Sequence, residues 1–301
     1  MRKQKEKGLA VLCMLILFCA VLTGCTKKEK ESVQKVNGLE KLGAVTVVTR
    51  EEGSGTREVF IEKTGVKGTN KEGKTVDETR EDAVVKMDAE SVLEEVAKNE
   101  SAIGYVSIGS LKEEENGIKT VVIDGIEPTR EQIGKGDYPL SRNLNIAYSG
   151  TLSPVEQDFM SYLLSKGQDI VGKGYVAVKK SSTFLSDQSQ GSIRISGSTS
   201  VAPLMEELAK GYHSFNENVD IIIEATDSTS GLTAAMQSAC DWGMASRDLK
   251  EYEKELLEYK TIARDGVAVI VNENNPVDSL TMEQLKELYS GEAQEWEDIN
   301  P

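Results

Sequence analysis

The chain has 301 residues, 50 acidic against 35 basic side chains, a formal net charge of −15 and a single histidine. That charge balance argues against nucleic acid as a partner. One histidine, His213, and no CxxC pair argue against a His- or Cys-ligated metal, so neither a metal nor a cofactor is expected.

Arg2, Lys3, Lys5 and Lys7 form a basic start, and Leu9 to Leu22 is an apolar stretch of about 14 residues, too short for a typical spanning helix. It ends in Leu22-Thr23-Gly24-Cys25, which resembles the bacterial lipobox, where small residues admit the signal peptidase and the cysteine carries the lipid. Residues 1–25 therefore read as a lipoprotein signal with Cys25 as the lipidation site. The alternative is an ordinary signal peptide or short anchor with an incidental cysteine. Residues 26–39, opening with Lys27, Lys28, Glu29, Lys30 and Glu31, read as a solvated tether. No later segment is apolar over 18 residues, so the body is expected to be soluble and held by acyl chains at the extracytoplasmic face of the cell membrane. Cys13 and Cys19 leave with the signal and Cys240 remains alone, so no disulfide framework is expected.

The apolar run Ala44-Val45-Thr46-Val47-Val48 hands over to Arg50-Glu51-Glu52-Gly53-Ser54-Gly55-Thr56-Arg57, which should open a helix. A strand, a turn of small residues and a helix N-terminus bring free N–H groups, two hydroxyls and the positive end of a helix dipole to one point. Arg50 can add a bidentate fork there, which makes a cradle for a tetrahedral oxyanion. The same turn can also serve merely as a helix cap.

The rest of the chain alternates strands and helices. Strand-like runs fall at 44–49, 102–106, 119–123, 144–148, 193–196, 219–225, 242–245 and 266–271. Helix-like runs fall at 55–64, 90–99, 154–166, 200–212, 230–239, 250–257 and 281–289. The alternation predicts an α/β fold. Residues 66–87 are charged and read as a loop; 179–192 are polar and read as a linker between two halves. Gly68 to Thr75 matches the P-loop pattern, but neither a buried strand precedes it nor a helical pattern follows, so the match is set aside.

Beyond the linker, three more strand ends carry hydroxyls. Ile193-Arg194-Ile195 leads to Ser196-Gly197-Ser198-Thr199-Ser200, Val219 to Ile223 leads to Thr226-Asp227-Ser228-Thr229-Ser230-Gly231, and Trp242 to Ala245 ends on Ser246-Arg247. Each alone is an ordinary helix cap. Four at the carboxyl ends of strands suggest one shared crevice. Tyr105 and Trp242 read as core rather than ligand-stacking residues. No GxSxG elbow or nucleophile–base pair is present, which weighs against an enzyme.

GSTSVAPLMEELA, the TDSTSG turn, DWGMASRDL and DGVAVIVNENNPVDSLTMEQLKELYSGEAQEWEDI resemble the N-terminal half of the phosphate-binding component (PstS-like) of Pst-type ABC transporters. VVTREEGSGTREVF, SAIGYVSIGSL and YPLSRNLNIAYSG resemble its C-terminal half. Together they span nearly all of 43–301. The halves stand in reversed order, with 179–192 joining the family's old C-terminus to its old N-terminus. That order looks like a circular permutation, and a truncated tandem gene is the competing explanation.

The resemblance implies a two-lobed periplasmic-binding-protein-like (type II) fold with the ligand in a cleft between lobes. One lobe would be 144–268 and the other 40–143 plus 269–301, with hinges near 141–146 and 265–271. It implies phosphate ligands at Arg50, Ser54, Gly55, Thr56, Thr199, Ser200, Ser228 and Ser246, and membrane permease subunits as partners. Ser246 falls where some members place an Asp that accepts a hydrogen bond from the phosphate proton, so discrimination against sulfate is expected either to be weaker or to rest on other residues. Arg247 reads either as a second cationic contact or as a surface ion pair with Asp248 or Glu251. Three functions stay open: a lipid-anchored phosphate-binding protein for import, a receptor for another oxyanion (sulfate, molybdate or tungstate), and a surface phosphatase or phosphate-sensing module not coupled to transport.

Overall fold

A computed structural model describes residues 36–70, 72–111 and 117–300. The expected signal, Cys25, most of the tether and Pro301 lie outside the described residues. The first half contains β1 (Thr46–Arg50), α1 (Gly55–Thr64), β2 (Lys67–Thr69), β3 (Thr75–Asp77), β4 (Val84–Lys86), α2 (Ala89–Lys98), β5 (Ala102–Ser107), β6 (Ile118–Thr120), β7 (Val122–Ile123), α3 (Arg130–Lys135), β8 (Ser141–Tyr148), α4 (Pro154–Leu163), α5 (Gln168–Gly174) and β9 (Val176–Ala177). Then follow β10 (Gly191–Ser198), α6 (Ala202–His213), β11 (Val219–Thr226), α7 (Ser228–Met236), β12 (Trp242–Ala245), α8 (Glu251–Leu256), β13 (Glu258–Asn272), β14 (Ser279–Leu280) and α9 (Met282–Ser290).

One mixed sheet runs β11-β10-β12-β8-β13-β5-β1-β4. Its two ends are parallel: β10 pairs with β11 and β12, and β1 pairs with β5 and β4. The middle is antiparallel, where β13 pairs first with β8 over Glu258 to Gly266 and then with β5 over Val267 to Val271. β13 thus crosses between two cores. One core gathers Phe60, Tyr105, Leu140, Val267, Leu285 and Trp296; the other gathers Leu144, Phe159, Met205, Trp242, Ile262 and Ala263. Parallel strands covered on both faces must be apolar throughout, and Val45, Val47 and Val48 in and beside β1 and all of β5 are accordingly buried.

The local signals are physical. Ser153 and Glu156 close a capping box at α4 with Pro154 in the first turn, and Thr281 and Gln284 do the same at α9. α1 ends on Gly65 at φ 78°, a left-handed cap that glycine adopts without strain.

Two expectations need correction. Residues 66–87 are not a loop: β2 and β3 form a hairpin across the P-loop-like stretch, and β4 is the sheet's edge beside β1. Three-residue strands leave too little periodicity to read, and here pairing supplies the order. The helix expected over 154–166 stops at Leu163, where the N–H groups of Leu164 and Gly167 turn back to carbonyls of Met160 and Tyr162. The segment 179–190 has no helix or strand, yet it is fastened down. Phe184 packs edge-on against Tyr162 and Phe215, and the Asp158 carboxylate accepts from Ser186 Oγ (2.6 Å), the Asp187 N–H (3.1 Å) and Tyr212 Oη (2.6 Å).

Candidate anion site

The site is built from four strand ends. β1 stops at Arg50 and a four-residue turn leads to Ser54, the N-cap of α1, whose Oγ accepts the Arg57 N–H at 3.4 Å. β10 runs to Ser198 before the Thr199-Ser200 turn, β11 runs to Thr226 before Asp227 caps α7, and β12 delivers Ser246. The first comes from one core's half of the sheet and the other three from the second.

They meet at hydrogen-bond distance. Thr56 Oγ1 lies 2.9 Å from Ser200 Oγ. Ser198 Oγ donates to Ser246 Oγ at 2.9 Å, and Ser246 N–H donates to Ser228 Oγ at 3.1 Å. Arg50 Nη2 donates to Thr199 Oγ1 at 2.8 Å. Thr56, Ser228 and Ser246 are fully buried. Gly55, the first residue of α1, is pressed against them: a Cβ there would stand 2.3 Å from Ser228 Oγ and 2.7 Å from Ser246 Oγ, so only glycine fits. The positive end of α1 is therefore held against hydroxyls from the opposite half.

Arg50, Gly55, Thr56, Thr199, Ser200, Ser228 and Ser246 thus converge, with Ser54 capping the helix among them. Two expectations are corrected. The Arg50 fork does not stand free: Nε and Nη2 each bind the Glu51 carboxylate at 2.8 Å, and Nη2 also donates to the Met87 carbonyl. A buried guanidinium needs such partners. Nη1 is the nitrogen with no hydrogen bond among the described residues. Arg247 is neither free nor on the surface. It is buried and grips Glu253 with both terminal nitrogens (2.7 and 2.8 Å), and its Nε lies 3.7 Å from Glu58. Burial pushes the Glu253 carboxyl up, but the hydrogen bond and charge of Arg247 outweigh it and hold the group below the ordinary carboxylate range. At Glu58 burial is likewise outweighed, by Lys250, Arg247 and Lys67.

Sequence reasoning missed Arg142, Asp265 and Ser198. Arg142 on β8 faces Asp265 on β13 in register, at the point where the chain passes between the cores. Its Nε donates to Asp265 Oδ2 at 2.8 Å, and Nη2 makes an ion-pair contact with the same oxygen at 2.7 Å. Nη1 donates to Thr56 Oγ1 at 2.6 Å and to the Ser246 carbonyl at 3.2 Å. The available signal was weak, because Arg142 stands among Ser141, Asn143 and Asn145 on β8, and Asp265 follows Arg264 on a β13 that also carries Glu258 and Lys260. Beneath Arg50, the Tyr105 hydroxyl bonds Thr49 Oγ1 (2.7 Å) and the Arg50 N–H (3.3 Å); burial pushes its pKa up to about 12, so it stays neutral.

The profile of the PBP superfamily domain matches residues 20–166 and 182–301. The chain belongs to this superfamily, among its PstS-like members. It is 37% identical over 302 residues to phosphate-binding protein PstS 2 of Streptococcus agalactiae, covering 99% of both chains. The crystal structure of a phosphate ABC transporter phosphate-binding protein from Streptococcus pneumoniae superposes with a TM-score of 0.71 at 38% identity, covering 86% of this chain and all of that one. A phosphate-binding protein PstS from Staphylococcus saprophyticus matches over 124 residues at 36% identity, 38% of this chain and 39% of the relative. Among the described residues no helix is long and apolar enough to cross a membrane.

Proposed function

We propose that this chain is a lipid-anchored binding protein that captures inorganic phosphate between two lobes and delivers it to the permease subunits of an ABC importer. The observation that carries it is the convergence of four strand-end turns, from both halves of the sheet, into one buried cluster of hydroxyls and arginine. In this reading Arg50, Ser54, Gly55, Thr56, Thr199, Ser200, Ser228 and Ser246 hold the anion, and the protein binds rather than catalyses. The protein is extracytoplasmic, and the anchor sits at Cys25.

A desolvated phosphate needs roughly ten replacement hydrogen bonds, and a hydrogen bond to a charged group contributes about 1.5–3 kcal/mol net. Neither half of the sheet supplies enough donors alone. The anion therefore favours the conformation in which both halves touch it, by the difference in its affinity for the two states. The bend falls where β8 and β13 cross, with residues 144–268 as one lobe and 40–143 plus 269–301 as the other.

The order of the halves is part of the proposal. Residues 179–192 would join the two halves in an order that the streptococcal relatives, which align collinearly over the whole chain, share, and the packing of Phe184 and the Asp158 hydrogen bonds support a settled connection rather than a loose one. A relative in the unpermuted order can align collinearly with only one half at a time, in keeping with the partial staphylococcal match. The test is calorimetric titration of the full chain with phosphate near neutral pH. One tight phosphate per chain supports the reading, and a folded protein with no phosphate heat overturns it.

A further inference from the structure

The two halves of the sheet also touch away from the hydroxyl cluster. Glu58 stands one turn into α1, and its carboxylate reaches across to the other half. Oε1 lies 3.1 Å from Nζ of Lys250, the N-cap of α8, and Oε2 lies 3.7 Å from Arg247 Nε. Lys67 Nζ, from its own half, shares Oε1 at 3.3 Å. Beside this cluster the Gly53 carbonyl accepts both the N–H and the hydroxyl of Thr229, in the first turn of α7, at 3.3 Å each. Thr229 Oγ1 also accepts from Arg247 Nη2 at 3.4 Å, so the two contacts are continuous.

In the two-lobe reading above, Gly53 and Glu58 belong to one lobe, and Thr229, Arg247 and Lys250 to the other. Opening the cleft breaks these contacts and closing it makes them. Arg247 does not need Glu58 to balance its charge, because Glu253 of its own lobe holds both terminal nitrogens. What it lacks is a partner for Nε, which is buried and makes no hydrogen bond among the described residues. The carboxylate facing that nitrogen is Glu58, and about 0.8 Å of further closure would bring the two to ordinary hydrogen-bond distance. The way in lies elsewhere. A groove of about 1200 Å³ runs past Glu51, Asp88, Thr199, Glu206, Asp227 and Ser230. Glu58, Arg247 and Lys250 are not among the residues that line it, so their contact can hold the cleft shut without standing in the anion's path.

We propose that Glu58 is a closure latch, a positioning residue that acts through Lys250 and Arg247 of the opposite lobe and sets how long phosphate is held without touching it. This rests on the phosphate reading above and on its two lobes. A contact made only in the closed state favours closure, and so it slows release. The sign of the effect separates a latch from plain electrostatics. A carboxylate one turn from a bound anion repels it, so removing the charge alone would tighten phosphate binding. Removing a latch weakens it.

The experiment measures phosphate association and release on the full chain, by rapid filtration of radiolabelled phosphate with an unlabelled chase. Glu58→Gln keeps the size of the side chain and is expected to raise koff about 5- to 20-fold, with kon within about twofold of wild type. Lys250→Gln, at a side chain 40% exposed, is expected to raise koff about two- to fivefold. In the double variant the factors should not multiply: with Glu58 gone, Lys250→Gln should change koff by less than about 1.5-fold. A general loss of packing would not produce that coupling. An unchanged or slower release from Glu58→Gln overturns the latch and leaves the proposed function standing, and factors that multiply overturn the pairing with Lys250. No phosphate binding by the wild-type chain overturns the proposed function itself. Should Glu58→Gln fold poorly, Lys250→Gln decides alone, and an unchanged koff there overturns the latch.

Discussion

Replacing Thr56 by valine removes one oxygen and keeps the shape. That oxygen, fully buried, accepts from Arg142 Nη1 at 2.6 Å and faces Ser200 Oγ at 2.9 Å. In the phosphate reading it also donates to the anion. A hydrogen bond to a charged group is worth about 1.5–3 kcal/mol, which translates into a phosphate Kd raised roughly 10- to 150-fold. Arg142 keeps Asp265 and the Ser246 carbonyl. Its lost bond should therefore cost stability of about 1–3 kcal/mol, a fall in Tm of a few degrees for a body this size. Thr56→Ser retains the oxygen and should bind within a few-fold of wild type. Calorimetry with a thermal melt on all three proteins separates the effects. A Thr56→Val protein that binds phosphate like wild type would refute the placement of the site.

Arg50→Ala strips the partner from Glu51 and the donor from Thr199, and should weaken phosphate binding more than 100-fold by calorimetry while the protein still melts cooperatively. Gly55→Ala places a methyl 2.3 Å from Ser228 Oγ and 2.7 Å from Ser246 Oγ, both fully buried; it should raise the phosphate Kd at least tenfold and lower the Tm by several degrees, since overpacking a buried site costs about 1–3 kcal/mol. Glu253→Gln breaks a buried pair and leaves Arg247 only the more distant Glu58 carboxylate at 3.7 Å, at a cost of up to about 3–5 kcal/mol in a denaturant melt. The folded-state pKa values of Glu253 and Glu58 are lowered from an ordinary 4.5. Their contribution to stability is therefore complete above about pH 4.5 and is lost as pH falls through the lowered values. The acid-side fall in Tm should be shallower in Glu253→Gln.

Much of the site was legible because it sits on local signals. A glycine-hydroxyl turn between an apolar strand and a helix is written in consecutive residues, so the turns at 53–56, 196–200 and 226–231 and the strand end at Ser246 could be picked out without coordinates, while the choice of anion ligands among their residues came from the resemblance to the PstS-like family. Partnerships across the sheet were not legible. The pairing of Arg142 with Asp265 spans two crossing strands, 123 residues apart in the chain. Which carboxylate claims Arg247 depends on how α8 packs, and Glu253 lay beyond the neighbours weighed for it. The strand β4 is recognisable only once β1 lies beside it. The polar composition of 179–190 hid a connection pinned by one aromatic ring and one buried carboxylate.

The most direct test of the account is a crystal structure of the full chain saturated with phosphate. The account predicts tetrahedral density within hydrogen-bond reach of Thr56, Ser228, Ser246 and Arg50, enclosed by both halves of the sheet. A saturated crystal with phosphate bound elsewhere, and these hydroxyls still bonded to one another, would contradict it.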